Sequence, residues 1–271
     1  MTQKIFWITG AASGLGHSLT TALLQNGHAV FATDMRYEAL EAAAKKSNWD
    51  RSSLLLAALD VRDATAWDIV EKQFLHRWPR LDVMINNAGI LLSGPLHEVR
   101  DEDVHRMLDI NVKGVMFGSR HAANLMLKNG NGHIINMGSM SSLAPVPGIG
   151  LYSASKFAVR GYSLALAMEL KEQGIAVTCV CPDGINTPML QAEAHSKDAA
   201  LIFSGGRILT TEEVRDAILG PIMKNRPMEY ILPDGRGVLA KISGLAPELS
   251  SKVLTMLQKK GLKNQSKNLI D

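Results

Sequence analysis

Seven short apolar runs punctuate the chain: IFWI (5–8), AVFAT (29–33), SLLLAALD (53–60), LDVMIN (81–86), HIINMG (133–138), IAVTCVC (175–181) and, more weakly, EYILP (229–233). Each is apolar at consecutive positions, which is how a strand covered on both faces reads. Helical patterning falls between them, at about 14–26, 37–47, 64–78, 101–128 and 152–173. Strand and helix alternating in this way predict a parallel sheet with helices on both faces. Right-handed crossovers then wind the sheet doubly. The expectation is an α/β chain: one Rossmann-like, doubly wound parallel sheet of about seven strands, spanning 1–271 as a single domain.

With 271 residues, 46% of them hydrophobic, the chain can bury a large core. A net charge of +3 and 20% charged residues leave no basic stripe for nucleic acid. The diffuse KKGLKNQSK (259–267) reads as a solvated tail. No run of about 18 apolar residues suggests a membrane span, and KIFWITG lacks the succession of a signal peptide. Cys179 and Cys181 read as two buried thiols of one strand, in keeping with a reducing compartment. A cytoplasmic protein without nucleic-acid or membrane partners is expected.

Composition shifts after about residue 187. Pro188, Gly205, Gly206, Pro221 and Pro227 surround a short helical stretch, so 187–228 is expected to form a substrate lid. Residues 236–271 form a C-terminal extension, expected as two short amphipathic helices split at Gly244 and Pro247 and tucked against the body.

TGAASGLG (9–16) follows the first run and opens the first helix. Glycines let a ligand approach bare backbone, and a helix start presents free N–H groups to an anion. A tight strand–helix turn would use the same residues. Placement inside a βαβ pattern favours a pyrophosphate, with Gly10, Ser13, Gly14, Leu15 and Gly16 as contacts. Asp34 ends the second run, where a carboxylate accepts from adenosine ribose hydroxyls and repels a 2′-phosphate. No cation lies within 9–16 to offset that repulsion, although Arg36 is near. NAD is therefore favoured over NADP. Asp60 and Val61 end the third run, and Asn87, Ala88 and Gly89 follow the fourth. All fall at the carboxyl edge of the sheet, where such folds bind ligands.

Tyr152 and Lys156 stand four apart, on one face of a helix. Alone this is an ordinary surface pair. His97, His105, His121, His133 and His195 have no metal-ligand spacing, and no metal is expected. Leu91, Leu92, Met140, Leu143, Val146, Met189, Leu190 and Phe203 fall in loops expected to border a hydrophobic pocket.

These motifs together resemble the short-chain dehydrogenase/reductase family over residues 4 to about 190. They are T-G-x-x-x-G-x-G at 9–16, N-N-A-G at 86–89, Asn111, Ser139, and Y-x-x-x-K at Tyr152 and Lys156. Ser141 and Ser142 are near enough to compete for the serine's role, and the family's Ser–Tyr interval selects Ser139. The resemblance implies NAD(P)-linked alcohol oxidation or carbonyl reduction by Asn111, Ser139, Tyr152 and Lys156. It implies that Ile185 and Thr187 hold carboxamide and phosphate, and that the long helices pair subunits into a homodimer or homotetramer. Asp183 departs from the pattern by standing where the family has glycine.

The expected chemistry follows. The Lys156 ammonium lowers the Tyr152 pKa from about 10 to make it an acid–base near neutrality, and Lys156 also binds the nicotinamide ribose. Ser139 holds the substrate oxygen. Asn111 kinks its helix around a water that relays protons. The expected activity is NAD-dependent interconversion of a secondary or lipophilic alcohol with its ketone or aldehyde. The alternatives are an NADPH-dependent carbonyl reductase and a non-catalytic dinucleotide sensor.

Overall fold

A computed structural model describes residues 2–205, 207–245 and 247–268 of the chain. Gly206, which the sequence assigns to the lid, lies outside the described residues, as do 1, 246 and 269–271 of the expected domain. The strands are β1 (Ile5–Thr9), β2 (Ala29–Asp34), β3 (Leu54–Ala58), β4 (Val83–Asn86), β5 (Gly132–Met137), β6 (Ile175–Pro182) and β7 (Glu229–Leu232). They form one parallel sheet in the order β3-β2-β1-β4-β5-β6-β7. The expected doubly wound α/β architecture is therefore found.

The winding direction reverses at β1, which pairs with β2 on one side and β4 on the other. Such a reversal opens a crevice beyond the carboxyl ends of the two strands. Helices α1 (Gly14–Gln25), α2 (Tyr37–Lys46), α3 (Ala64–Arg77), α4 (Asp101–Leu108), α5 (Gly114–Leu127) and α6 (Gly150–Leu170) make the crossovers.

Every residue of β1 is buried, because both faces of the sheet are covered. Trp7 packs one face against Phe31, Trp67 and Phe74, with ring centroids 4.8, 5.4 and 5.6 Å away. Phe6 and Ile8 face the other way, into a second cluster with Leu19 and Leu23 of α1. Each large apolar side chain buried in this manner stabilises the fold by about 1.5–3 kcal/mol.

The helical run at 101–128 is interrupted. A π turn over Asp109–Lys113 separates α4 from α5, so the kink expected at Asn111 takes the form of one widened turn. Segment 187–228 does not form one lid. Its first part, α7 (Pro188–Ala192) and a 3₁₀ turn over Lys197–Ser204, borders the crevice. Its second part, α8 (Thr211–Ala217) with the π turn Ile218–Ile222 and α9 (Met223–Asn225), covers the sheet beside α1. Val214, Ile218 and Ile222 are fully buried there, in the core that holds Phe6.

The C-terminal helices α10 (Asp234–Leu245) and α11 (Pro247–Asn268) are longer than expected, and α11 packs on the 197–204 turn. The KKGLKNQSK stretch lies within α11, with Gly261 and Gln265 buried, so it is not a solvated tail. Cys179 and Cys181 are free and buried, their sulfurs 3.8 Å apart. Among the described residues, no helix is long and apolar enough to cross a membrane.

His133 of β5 is fully buried, with Nε2 2.8 Å from the Thr178 hydroxyl, which itself donates to the Pro227 carbonyl. Burial pulls the imidazole pKa from 6.5 down to about 3. The unfolded chain takes up that proton first, so stability is constant above about pH 6.5 and falls as pH drops from there towards 3. This group alone is expected to remove roughly 2 kcal/mol by pH 5. His133→Gln should flatten that slope in denaturant titrations at pH 7 and pH 5. An unchanged slope would refute the assignment.

Candidate active site

The loops that follow β1, β2, β3, β4, β5 and β6 all open at one edge of the sheet, and together they wall a cleft of about 520 Å³. After β1, Gly10 takes φ +68°, a conformation open to glycine at no steric cost. The loop after β4 braces this turn. Asn87 donates its side-chain amide to the carbonyls of Thr9 (3.0 Å) and Gly10 (3.2 Å). The Thr9 hydroxyl accepts the backbone N–H groups of Asn87 and Ala88, both at 3.0 Å. Gly16 does not line the cleft, contrary to the expectation of a cofactor contact. A Cβ on it would fall 2.2 Å from the Gly10 carbonyl oxygen, so it lets the helix close on the loop from behind.

Gly10, Ser13, Gly14 and Leu15 line the cleft. So do Asp34, Asp60, Val61, Asn87, Ala88, Gly89, Ile185 and Thr187. Asp34 accepts the N–H groups of Ala12 (3.1 Å) and Arg36 (3.0 Å), and the Arg36 guanidinium stands 3.6 Å away, largely exposed. Asp60 is gripped by Arg62, whose Nη2 is 2.6 Å from Oδ2. That pairing holds its carboxyl below the usual range.

At the other end lie Ser139, Tyr152 and Lys156. Tyr152 and Lys156 come from the first turns of α6, which starts two residues before the expected 152. The Lys156 ammonium donates to the Met137 carbonyl at 2.7 Å and sits 5.5 Å from the centre of the Tyr152 ring. Burial pushes the phenol up to about 12, while the nearby Ser139 hydroxyl pulls weakly the other way. Burial also brings the ammonium down to about 8. The expected lowering of the Tyr152 pKa by Lys156 is therefore absent from this arrangement. The cation engages a carbonyl and the ring face, and loss of hydration outweighs it. The phenol therefore keeps its proton at neutral pH.

The Ser139 hydroxyl lies 2.8 Å from that of Ser141 and accepts the Ser141 N–H, while Ser142 caps the Ser139 N–H. Ser141 and Ser142 thus buttress Ser139. Asn111 is fully buried and outside the cleft wall. Its Oδ1 accepts from Ile90 N at 2.8 Å. Its Nδ2 donates to Ile90 O (2.9 Å) and Ser155 Oγ (3.1 Å) and touches the Met107 sulfur. It ties the β4 loop to α6 from behind.

Of the apolar candidates, Leu91, Met140, Val146, Met189 and Leu190 line the cleft, whereas Leu92, Leu143 and Phe203 do not. Ile149, Leu201, Ile202, Met137 and Arg106 also line it and were not anticipated. Met137 ends β5, so the strand-end rule could have found it. The others lie on turns and helix faces without a local signature. Among the described residues, no three His, Cys, Asp or Glu side chains gather as metal ligands.

A bare-backbone loop at a helix start, a strand-end carboxylate and a protonated phenol within one cleft fit a nicotinamide dinucleotide. Comparison with known proteins agrees. The short chain dehydrogenase family matches over residues 4–198. An NADP-dependent 3-hydroxy acid dehydrogenase YdfG of Salmonella typhimurium is 32% identical over 79% of this chain and 87% of its own length. A cyclopentanol dehydrogenase of Comamonas testosteroni is 33% identical over 81% and 89%. The structure of ElxO with NADP bound superposes with a TM-score of 0.77 at 28% identity, covering 85% of this chain and 96% of that one. The chain belongs to the short chain dehydrogenase family and is an oxidoreductase of that family.

Removing the Asn111 amide would leave the N–H and C=O of Ile90 without their partners. Asn111→Ala is expected to cost about 2–4 kcal/mol in urea unfolding. A change within about 0.5 kcal/mol would show that the brace is dispensable.

Proposed function

We propose that this protein is an NAD-dependent oxidoreductase that interconverts a secondary or lipophilic alcohol with its ketone or aldehyde. The observation that carries the reading is the gathering of Ser139, Tyr152 and Lys156 on the wall of one cleft that also holds the glycine loop and Asp34. The dinucleotide, when bound, supplies the hydride chemistry. The 10–15 loop would hold its pyrophosphate, and Asp34 its adenosine ribose. Asp60 and Val61 would flank the adenine. Ala88 and Gly89 would let it approach the backbone, and Ile185 and Thr187 would hold its nicotinamide end.

Tyr152 gives its proton to a carbonyl oxygen in reduction and recovers it from the alcohol in oxidation. Ser139 donates a hydrogen bond to that oxygen as negative charge develops. Lys156, protonated at neutral pH, favours the phenolate left behind and reaches the ribose hydroxyls. Asn111 fixes the loop and helix between which the proton moves. The 188–204 segment acts as the substrate lid, backed by the 236–271 extension. Two free buried thiols suit a cytoplasmic setting. Exposed Phe157 and Met168 on α6 suit pairing into a homodimer or homotetramer.

One observation favours a second reading, an NADPH-dependent carbonyl reductase. Arg36 stands beside Asp34 and is free to turn towards a 2′-phosphate, and two of the relatives carry NADP in their names or titles. Steady-state rates with both coenzymes decide between them. NAD is expected to be preferred by about tenfold or more, because Asp34 faces the extra phosphate as a like charge. Asp34→Ala should narrow that gap, and a preference for NADPH in the unaltered protein would overturn the first reading.

Tyr152→Phe deletes one hydroxyl and should lower turnover at least ~100-fold across a panel of cyclic, aliphatic and steroidal alcohols. Coenzyme binding, measured by calorimetry, should stay within about twofold of the unaltered protein. Retained turnover would remove Tyr152 from the chemistry.

A further inference from the structure

Asp183 is a carboxylate on the cleft wall with only 10% of its side chain exposed. Its Oδ1 accepts the Gly184 N–H at 2.9 Å. Its Oδ2 meets Arg236 Nη1 at 2.9 Å. Arg236 belongs to α10, outside residues 4–198 that match the family. The same guanidinium donates through Nη2 to the buried hydroxyl of Ser204, 3.1 Å away, at the end of the 197–204 turn. Gly205 makes room for it, since a Cβ there would fall 1.8 Å from Nη1.

Helix α11 grips both ends of the same turn. Gln265, itself buried, donates to the Ser196 carbonyl at 2.8 Å. Asn264 donates to the carbonyls of Phe203 (2.9 Å) and Gly205 (3.1 Å). Gly261 lets the helix lie against the Ala200 carbonyl, which a Cβ would approach to 2.0 Å. Leu201 and Ile202, between these anchors, face the cleft.

We propose that Arg236 is a positioning residue whose fork joins the strand-end carboxylate Asp183 to Ser204. With α11 it makes the C-terminal extension a strap that fixes the lid, and so sets the size of alcohol admitted. This rests on reading 188–204 as the substrate lid. A guanidinium is required because two parallel donors in a rigid plane serve both acceptors at once. Lysine would keep the ion pair and lose the second arm. The pocket is consequently preformed, suited to a compact apolar alcohol and closed to a long flexible one.

The test uses the full-length protein and two readouts. Trypsin cutting at Lys197 and Arg207 under native conditions, followed by mass spectrometry, reports whether the lid is fixed. KM and kcat for a cyclic alcohol report whether the lid is the substrate wall. Arg236→Lys and Ser204→Ala are expected to raise both the cutting rate and KM about tenfold, the worth of one charged hydrogen bond, with kcat changed less than about twofold. Combining them should add nothing further, since both delete the same arm. Arg236→Gln leaves Asp183 buried without its cation and is expected to lower the melting temperature, so Asp183→Asn/Arg236→Gln is its control. The double variant should regain the melting temperature yet keep the raised KM. Cutting rates like those of the unaltered protein in Arg236→Lys and Ser204→Ala would overturn the strap. Faster cutting with unchanged KM would keep the strap and overturn the lid reading on which substrate selection rests. A KM restored in the double variant would show that only the buried charge matters, and would overturn the positioning role.

Discussion

A parallel sheet sends every strand out through the same edge, and this constraint governs the molecule. Each loop that leaves β1 to β6 begins at that edge, so residues as far apart in sequence as Gly10 and Thr187 line one cleft. The crossovers that make the strands parallel also cover both faces, which is why β1 has no exposed residue. Two polar links keep the central strand ends in register. Asn87 and Thr9 join the loops of β4 and β1 by four hydrogen bonds. One layer deeper, the Asn86 amide donates to Asn136 on β5 at 2.8 Å, and Asn136 donates to Ser163 on α6 at 3.0 Å. These buried amides hold α6, and with it Tyr152 and Lys156, at a defined height over the sheet.

That placement has an electrostatic consequence. Tyr152 and Lys156 are brought together by helical spacing, and the same packing strips both of water. Desolvation favours the neutral form of each, so it raises the phenol and lowers the ammonium. Helical spacing alone brings phenolate and ammonium within reach of each other, and the hydration both lose on burial works against that attraction. At about 12 against about 8, the lysine is the group that titrates nearer neutrality, and the tyrosine holds its proton as a donor.

Much of this was legible because it rests on local rules. Continuous apolar runs marked all seven strands: burial on both faces restricts the composition of the central ones, whereas the half-buried edge strand β7 gave only the weak EYILP. That the glycine loop, Asp34 and Asp60 line one cleft followed from their position at strand ends. What escaped was set by tertiary contact. Gly16 shares the motif of Gly10 but faces the loop and not the cleft, a distinction that only the 2.2 Å approach to Gly10 reveals. Leu143 and Phe203 have the character of pocket residues and are spent on packing. Segment 187–228 read as one insertion because glycine and proline mark loops alike, whether they cover a ligand or a core. Asn111 stood out as a poor helix former, but its partners Ile90 and Ser155 lie 21 and 44 residues away and carry no signal of their own.

Asp183 shows the same limit most sharply. Alone it is a departure from a family pattern, a carboxylate where a small residue is expected and where burial penalises charge. Its cation arrives 53 residues later, in a stretch that composition presents as surface helix. Neither residue explains itself, and each becomes necessary once the other is present. A carboxylate held on a cleft wall requires a counter-charge, and the half-buried guanidinium beside Gly205 finds an acceptor for each arm. The dependence is unequal in direction. Losing Arg236 strands a charge in the wall, whereas losing Asp183 leaves a cation that can still turn to solvent, being 28% exposed.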